Sequence, residues 1–167
     1  EKHGRRFTVH LKARGRSLTG TVMLLATGVI DRCPPITGLE QCLGLSIFIC
    51  PDCDGYEALD RATVIIGSGN SGARMALAIA YWTDRITYIN HEVRELDQAL
   101  TDKLTSRSIR IVHKPAAAVE ADADGKLSAV LLLGGERIEA ERGFIAFGGN
   151  TIRTELASQL GAERMEN

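Results

Sequence analysis

Thr63-Val64-Ile65-Ile66-Gly67-Ser68-Gly69-Asn70-Ser71-Gly72 decides the fold. The first four residues are all β-branched, and a short run of this kind reads as a strand buried on both faces. A Gly-x-Gly-x-x-Gly turn follows at once. From about Ser71 to Thr83, Ala73, Ala76, Leu77 and Ala80 recur at helical spacing. In a strand–turn–helix context each glycine acquires a role. Gly67 permits the tight turn, Gly69 admits a pyrophosphate to the backbone, and Gly72 lets the helix pack on the strand. Gly67, Ser68, Gly69, Asn70, Ser71 and Gly72 are therefore candidate contacts of a dinucleotide, with the first amides of the helix facing the phosphates.

Working outward, Ile86–Asn90 reads as the next strand. The residue ending that strand usually decides between a ribose 2′-hydroxyl and a 2′-phosphate. Here the sequence is Asn90-His91-Glu92-Val93-Arg94, which mixes an amide, a carboxylate and a guanidinium. Asn90, His91 and Arg94 are the candidate contacts on the ribose side. Leu96, Leu100 and Leu104 mark one stripe of a second helix, and 109–112 a further strand. Residues 117–123, 127–133 and 137–140 read as three short strands. Asp124-Gly125 and Gly134-Gly135 form the turns between them. Residues 144–147 are a last buried strand, and 154–160 a short helix stopped by Gly161. The order is that of an α/β fold. It is Rossmann-like, with a central parallel sheet, flanking helices and a three-stranded β-meander.

Upstream of the glycine turn, residues 46–49 form a short strand running into Cys50-Pro51-Asp52-Cys53. A Cys-x-x-Cys with no export signal is redox-active or metal-binding. A structural zinc site needs a second ligand pair. Cys33 and Cys42 are spaced by eight residues, and His91 and His113 are isolated, so no metal site is expected. Two intervening residues allow a disulfide across one turn. A helix start lowers the thiol pKa and favours the attacking thiolate. Asp54 directly follows and is a candidate proton carrier; Asp54-Gly55 also suits a plain turn.

Near the start, residues 6–12 alternate, with Phe7, Val9 and Leu11 on one face. Arg14-Gly15-Arg16 reads as a turn and 21–26 as a second strand, giving a hairpin. Lys2, Arg5, Arg6, Lys12, Arg14 and Arg16 read as a solvated face rather than a nucleic-acid patch. The 167-residue chain carries 20 Lys and Arg against 21 Asp and Glu, a net charge of −1. No apolar run approaches the ~20 residues of a membrane helix. With no signal-peptide pattern, a cytoplasmic location is expected.

Four stretches together resemble the low-molecular-weight thioredoxin reductases. They are Leu24-Leu25-Ala26-Thr27-Gly28, Cys50-Pro51-Asp52-Cys53-Asp54-Gly55, Val64-Ile65-Ile66-Gly67-Ser68-Gly69-Asn70-Ser71-Gly72 and Phe144-Ile145-Ala146-Phe147-Gly148-Gly149-Asn150-Thr151. The resemblance implies an electron path from NAD(P)H through FAD to a Cys50–Cys53 disulfide. From there it runs to thioredoxin or another dithiol protein. It implies that Cys53 faces the flavin, Cys50 attacks the substrate and Asp54 is the acid/base. It also implies that Ala26, Thr27 and Gly28 belong to a flavin segment. The chain then divides into 1–45, part of an FAD domain with its linker, 46–143, the NAD(P) domain with the dithiol, and 144–167, the return segment. The family's Gly-rich FAD loop and final flavin segment are not in this sequence. The expectation is a central fragment that binds FAD poorly or not at all, with homodimerisation through uncovered strand edges. The family's His-Arg-Arg signature is replaced by Asn90-His91-Glu92, which opens the choice between NADH and NADPH.

Overall fold

A computed structural model describes residues 1–163; residues 164–167, the end of the expected 144–167 segment, lie outside the described residues. The chain forms two compact units, one from residues 1–31 and 150 onward, the other from residues 32–149. In the first unit β1 (Lys2–His3), β2 (Arg6–Leu11) and β3 (Arg16–Gly20) make an antiparallel sheet in that order. The expected hairpin is present, but its second strand is not 21–26. The turn over residues 12–15, with Gly15 at φ +56°, sets Leu11 opposite Arg16 and Phe7 opposite Gly20. By Gly20 the ladder of β2 is spent, and 21–26 has no ladder partner among the described residues. Apolarity announced a strand there but could not supply a neighbour for it. Val22 and Leu24 are 85% and 89% exposed. The first unit's short β4 (Val29–Ile30) follows.

The second unit begins with α1 (Leu39–Cys42), β5 (Ile47–Phe48) and α2 (Pro51–Asp54). It continues through β6 (Thr63–Gly67), α3 (Gly69–Ile79), β7 (Ile86–Asn90), α4 (Gln98–Ser106) and β8 (Arg110–Val112). The antiparallel meander β9 (Ala116–Ala121), β10 (Leu127–Leu132) and β11 (Arg137–Glu139) leads to β12 (Arg142–Ala146). Back in the first unit, β13 (Thr151–Ile152) pairs with β4 and α5 (Glu155–Gln159) follows.

The central sheet is fully parallel, in the order β5-β12-β6-β7-β8. Alternation along β6 sorts its two faces. Val64 and Ile66 pack with Ile89, Ile145 and meander residues such as Val130 and Leu132. Ile65 packs with Ala73, Ala76, Ile79, Tyr88, Leu104 and Phe144 beneath α3 and α4. Three layers result, meander, sheet and helices, and both faces of the parallel sheet are covered. That is why its strands carry unbroken apolar runs. Helix α3 stops at Ile79 rather than Thr83, and α4 starts at Gln98, leaving Leu96 outside it. Leu96 still packs on the helical side of the core. The meander turns use Gly125, Gly134 and Gly135 at positive φ, and Asp122 Oδ1 accepts the amides of Asp124 and Lys126.

Candidate functional site: a dithiol beside a glycine loop

Two candidate sites lie in the second unit, both on segments that leave the parallel sheet. The first follows β5. Cys50 is the N-cap of α2 with Pro51 at its first position, a placement that suits proline's fixed φ. Cys50 and Cys53 are joined as a disulfide, with Cα atoms 5.3 Å apart. The backbone N–H of Cys53 donates to Cys50 Sγ at 3.1 Å. Cys50 and Asp54 share a cleft of about 250 Å³ with Leu43, Gly44, Ile47, Phe48 and Ile49. The Asp54–Gly55 step needs no left-handed turn: Gly55 has φ −56°. A side chain there would strike the Trp82 indole. Close approach, not turn geometry, demands this glycine. Cys33 is free and exposed, Cys42 free and buried. Among the described residues no three of His, Cys, Asp or Glu are grouped to hold a metal.

The second site is the glycine loop between β6 and α3, with Ser68 as the N-cap. Gly67 was expected to serve the turn, but it is not among the positive-φ glycines. A Cβ there would come 2.5 Å from the Ala146 carbonyl oxygen and 2.8 Å from Gly72 Cα. Its role is close passage between β12 and α3. The positive φ belongs to Gly69, at +50°. Gly72 meets the expected demand of helix–strand packing, because any side chain would enter the Tyr88 ring of β7. Tyr88 in turn donates its hydroxyl to the Gly69 carbonyl at 2.7 Å, and burial pushes its phenol up. The amide of Gly69 is taken by Asn90 Oδ1 at 3.0 Å and that of Gly72 by the Ser68 carbonyl. The amides of Asn70 and Ser71 remain as the first-turn donors that such a helix offers an anion. The glycine cradle therefore fits a dinucleotide pyrophosphate.

Beyond β7 the chain turns sharply, with Val93 at φ +53°. A β-branched residue in that region is strained and is held by its surroundings. The turn gathers a charged cluster at the loop. Glu92 accepts from the Ser68 hydroxyl at 2.6 Å, pairs with Arg32, and accepts from Arg94 Nε at 3.1 Å. Asn90 is fully buried. His91 Nδ1 accepts the Ala116 amide at 3.0 Å, which leaves Nε2 to carry the neutral ring's proton, and its ring stands edge-on to Phe147. Asn70 Oδ1 accepts the Asp97 amide at 2.9 Å. Of the candidate residues, the structure brings Gly67 to Gly72, Asn90, His91 and Arg94 together around one loop. Cys50, Cys53 and Asp54 cluster around α2. In the first unit the Thr27 hydroxyl donates to the Arg153 carbonyl, and the Gly28 carbonyl accepts the Arg153 amide at 3.1 Å. The Ala26–Gly28 stretch thus ties the chain to its return segment.

Sequence reasoning passed over Glu92 and Arg32 as site residues. Glu92 could have been found from its distance of 20 residues beyond Gly72, the usual separation of a ribose-binding carboxylate. Arg32 stands 60 residues from its partner, and no local pattern signals that.

The cluster makes stability sensitive to acid in two windows. Burial pushes the His91 imidazole down, partly opposed by the Glu92 charge and helped by Arg32. Hydrogen bonds from Arg32 and Ser68, with the charges of Arg32 and Arg94, hold the Glu92 carboxyl at about 2. The unfolded chain takes up its protons near the ordinary values, about 6.5 and 4.3. Both contributions are therefore present at neutral pH. That of His91 is lost as the pH falls below about 6.5, and that of Glu92 between about 4.5 and 2. Melting temperatures followed from pH 7 to pH 2.5 should show both losses. Glu92→Gln should flatten the lower window and, with the Glu92 charge no longer opposing the His91 shift, deepen the upper one.

A family model described as pyridine nucleotide-disulphide oxidoreductase matches residues 2–167. One of the proteins that make up alkyl hydroperoxide reductase in Escherichia coli K12 is 30% identical over 114 residues, 68% of this chain and 22% of the relative. Among solved structures, HlmI superposes with a TM-score of 0.85 at 27% identity, covering 96% of this chain and 49% of that one. A Bacillus anthracis protein described as a thioredoxin reductase, TrxB, gives 0.81 at 28% identity, covering 97% and 53%. The chain spans about a fifth of the length of the curated relatives it matches and about half of these solved structures. A parallel Rossmann-like sheet, a glycine loop and a Cys-x-x-Cys disulfide, matched along nearly the whole chain, place this protein in the pyridine nucleotide-disulphide oxidoreductase family.

Proposed function

We propose that this chain is the nucleotide and dithiol part of a disulfide reductase that draws electrons from NAD(P)H through FAD. Its acceptor is the disulfide of thioredoxin or a similar protein. The observation that carries this reading is a Cys50–Cys53 disulfide at a helix start in the same compact unit as a dinucleotide-type glycine loop. NAD(P)H and FAD supply, when bound, the electron pair that opens the disulfide. This chain's residues do the rest. Gly67 to Gly72 seat the pyrophosphate, His91 and Arg94 border the ribose, and Asn90 braces the loop beneath them. Opening the Cys50–Cys53 bond takes two electrons and two protons and leaves two thiols. The Cys53 N–H that already points at Cys50 Sγ stabilises a thiolate there, which suits Cys50 as the attacking sulfur. Cys53 is then the flavin-facing partner. Asp54, in the cleft it shares with Cys50, takes or returns the thiol proton. The apolar lining of that cleft suits the edge of a flat ring. Attack by the Cys50 thiolate on the acceptor disulfide, followed by Cys53, returns the Cys50–Cys53 disulfide and leaves the acceptor as a dithiol.

The curated relatives named as components of alkyl hydroperoxide reductase favour a second acceptor, the disulfide of a hydroperoxide-reducing partner. We extend the reading to a cytoplasmic homodimer, since exposed Val22 and Leu24 are apolar surface that a second copy would cover. Sedimentation of the full-length protein at two concentrations tests that part.

Anaerobic titration of the full-length flavoprotein tests the electron path. Bleaching of the flavin should be accompanied by uptake of two further electrons per chain. Loss of that uptake in a Cys50→Ser, Cys53→Ser double variant supports the path. Uptake that persists without the cysteines removes the dithiol from it. Turnover with a thioredoxin or with a peroxide-linked dithiol protein separates the acceptors.

A further inference from the structure

The geometry points to Glu92 as the residue that selects the dinucleotide: it favours an adenosine ribose with a free 2′-hydroxyl, as in NAD(H), and rejects a 2′-phosphate. This rests on the proposal above that the glycine loop binds a nicotinamide dinucleotide.

The strand-end position that normally carries the ribose-reading carboxylate holds Asn90, and Asn90 is engaged elsewhere. Its Oδ1 accepts the Gly69 amide at 3.0 Å. Its Nδ2 donates to the Arg94 carbonyl at 2.6 Å and lies 3.2 Å from His113 Nδ1. With its side chain wholly buried, Asn90 braces the loop from below. The turn at Val93 brings in a carboxylate two residues later instead. Glu92 is bonded to Ser68, the residue between Gly67 and Gly69, so its carboxylate stands at the mouth of the cradle. This is the crevice beyond the carboxyl ends of β6 and β7, where a dinucleotide's adenosine ribose lies in such folds. The Glu92 side chain is 20% exposed.

Two guanidiniums are present that would otherwise invite a phosphate. Both are already paired with Glu92: Arg32 and, at 3.1 Å, Arg94 Nε. A 2′-phosphate would have to break these pairs and then share the crevice with a carboxylate held ionised. A ribose diol needs only to donate its hydroxyl protons to the carboxylate, keeping the pairs intact. Discrimination of this kind comes from the repulsion built against the wrong ligand as much as from contacts to the right one.

Calorimetric titration of the full-length protein with NAD⁺ and with NADP⁺, at about 0.1 M salt so that surface charges are screened beyond ~10 Å, tests the assignment without relying on turnover. NAD⁺ should bind at least about tenfold tighter than NADP⁺. In Glu92→Gln the preference should shrink by about tenfold or more, with NADP⁺ gaining affinity as Arg32 and Arg94 are released. Near-equal affinities in the wild type, or an unchanged ratio in the variant, overturn the role of Glu92 while leaving the dinucleotide site standing. Failure of both nucleotides to bind overturns the dinucleotide reading and Glu92's role with it. The wild-type ratio needs no variant and keeps the test decisive if Glu92→Gln folds poorly.

Discussion

Cys50→Ser and Cys53→Ser variants of the full-length protein are expected to lose protein-disulfide reduction by about a thousandfold or more, because each removes a reacting atom rather than a supporting contact. Neither remaining cysteine can substitute. Cys33 lies exposed in the segment before α1, and Cys42 is buried at the end of α1 with its thiol donating to the Gly125 carbonyl. Partial desolvation and the nearby Glu40 charge push the Cys33 thiol up, and burial pushes the Cys42 thiol up, both further from the reactive thiolate. Dinucleotide binding should be untouched, since the glycine loop shares no hydrogen bond with α2. The fold should also survive. The disulfide closes a loop of sequence separation 3, and so short a closure removes little entropy from the unfolded chain. Steady-state reduction of a dithiol partner, calorimetric nucleotide binding and a thermal melt together check this. A variant keeping more than a tenth of the wild-type rate would sink the assignment of Cys50 and Cys53.

The second large effect is structural. Gly72→Val should destabilise the nucleotide unit by about 3 kcal/mol or more, lowering the melting temperature by roughly 10 °C. Even a methyl group at this position would enter the Tyr88 ring, and Tyr88 is wholly buried between β7 and α3. Relief requires either tilting α3 away or displacing the ring, and the ring's hydroxyl is the donor to the Gly69 carbonyl. The same substitution should therefore also weaken dinucleotide binding, because the loop moves with Tyr88. Arg74→Ala, on the exposed face of the same helix, is the control and should change stability by less than about 0.5 kcal/mol. Equal melting temperatures for Gly72→Val and Arg74→Ala would show that α3 and β7 are not in the close contact described.

Much of the architecture was legible in residues 46–147. Runs such as Thr63–Ile66 and Ile86–Asn90 have a length and branching that suit only a strand covered on both sides. The helical spacing of Ala73, Ala76 and Ala80 supplies one of the covers. The meander was legible from its Gly-rich turns. The dithiol was legible from spacing alone, since two cysteines three positions apart can meet within one turn whatever the rest of the chain does. These signals are local, and local geometry constrains them.

What escaped was everything that depends on a distant neighbour. The stretch 21–26 has the composition of a strand, but pairing is a property of two segments, and the hairpin register had already used its partner. Gly55 looked like a turn residue and is a contact surface for Trp82. Gly67 looked like a turn residue and is a passage between β12 and α3. Asn90 occupied the ribose-reading position in the sequence, yet the folded chain turns its amide inward to the Gly69 N–H and the Arg94 carbonyl. Arg32 and Glu92 meet across 60 positions. The sequence by itself determined the parallel α/β core, the glycine loop and the close pairing of Cys50 with Cys53, because hydrophobic period, backbone freedom and short-range spacing are written along the chain. Only the tertiary structure decided which polar groups at the loop are already satisfied and which remain to meet a ligand, because a hydrogen bond or ion pair is settled by whichever group folding brings within about 3 Å.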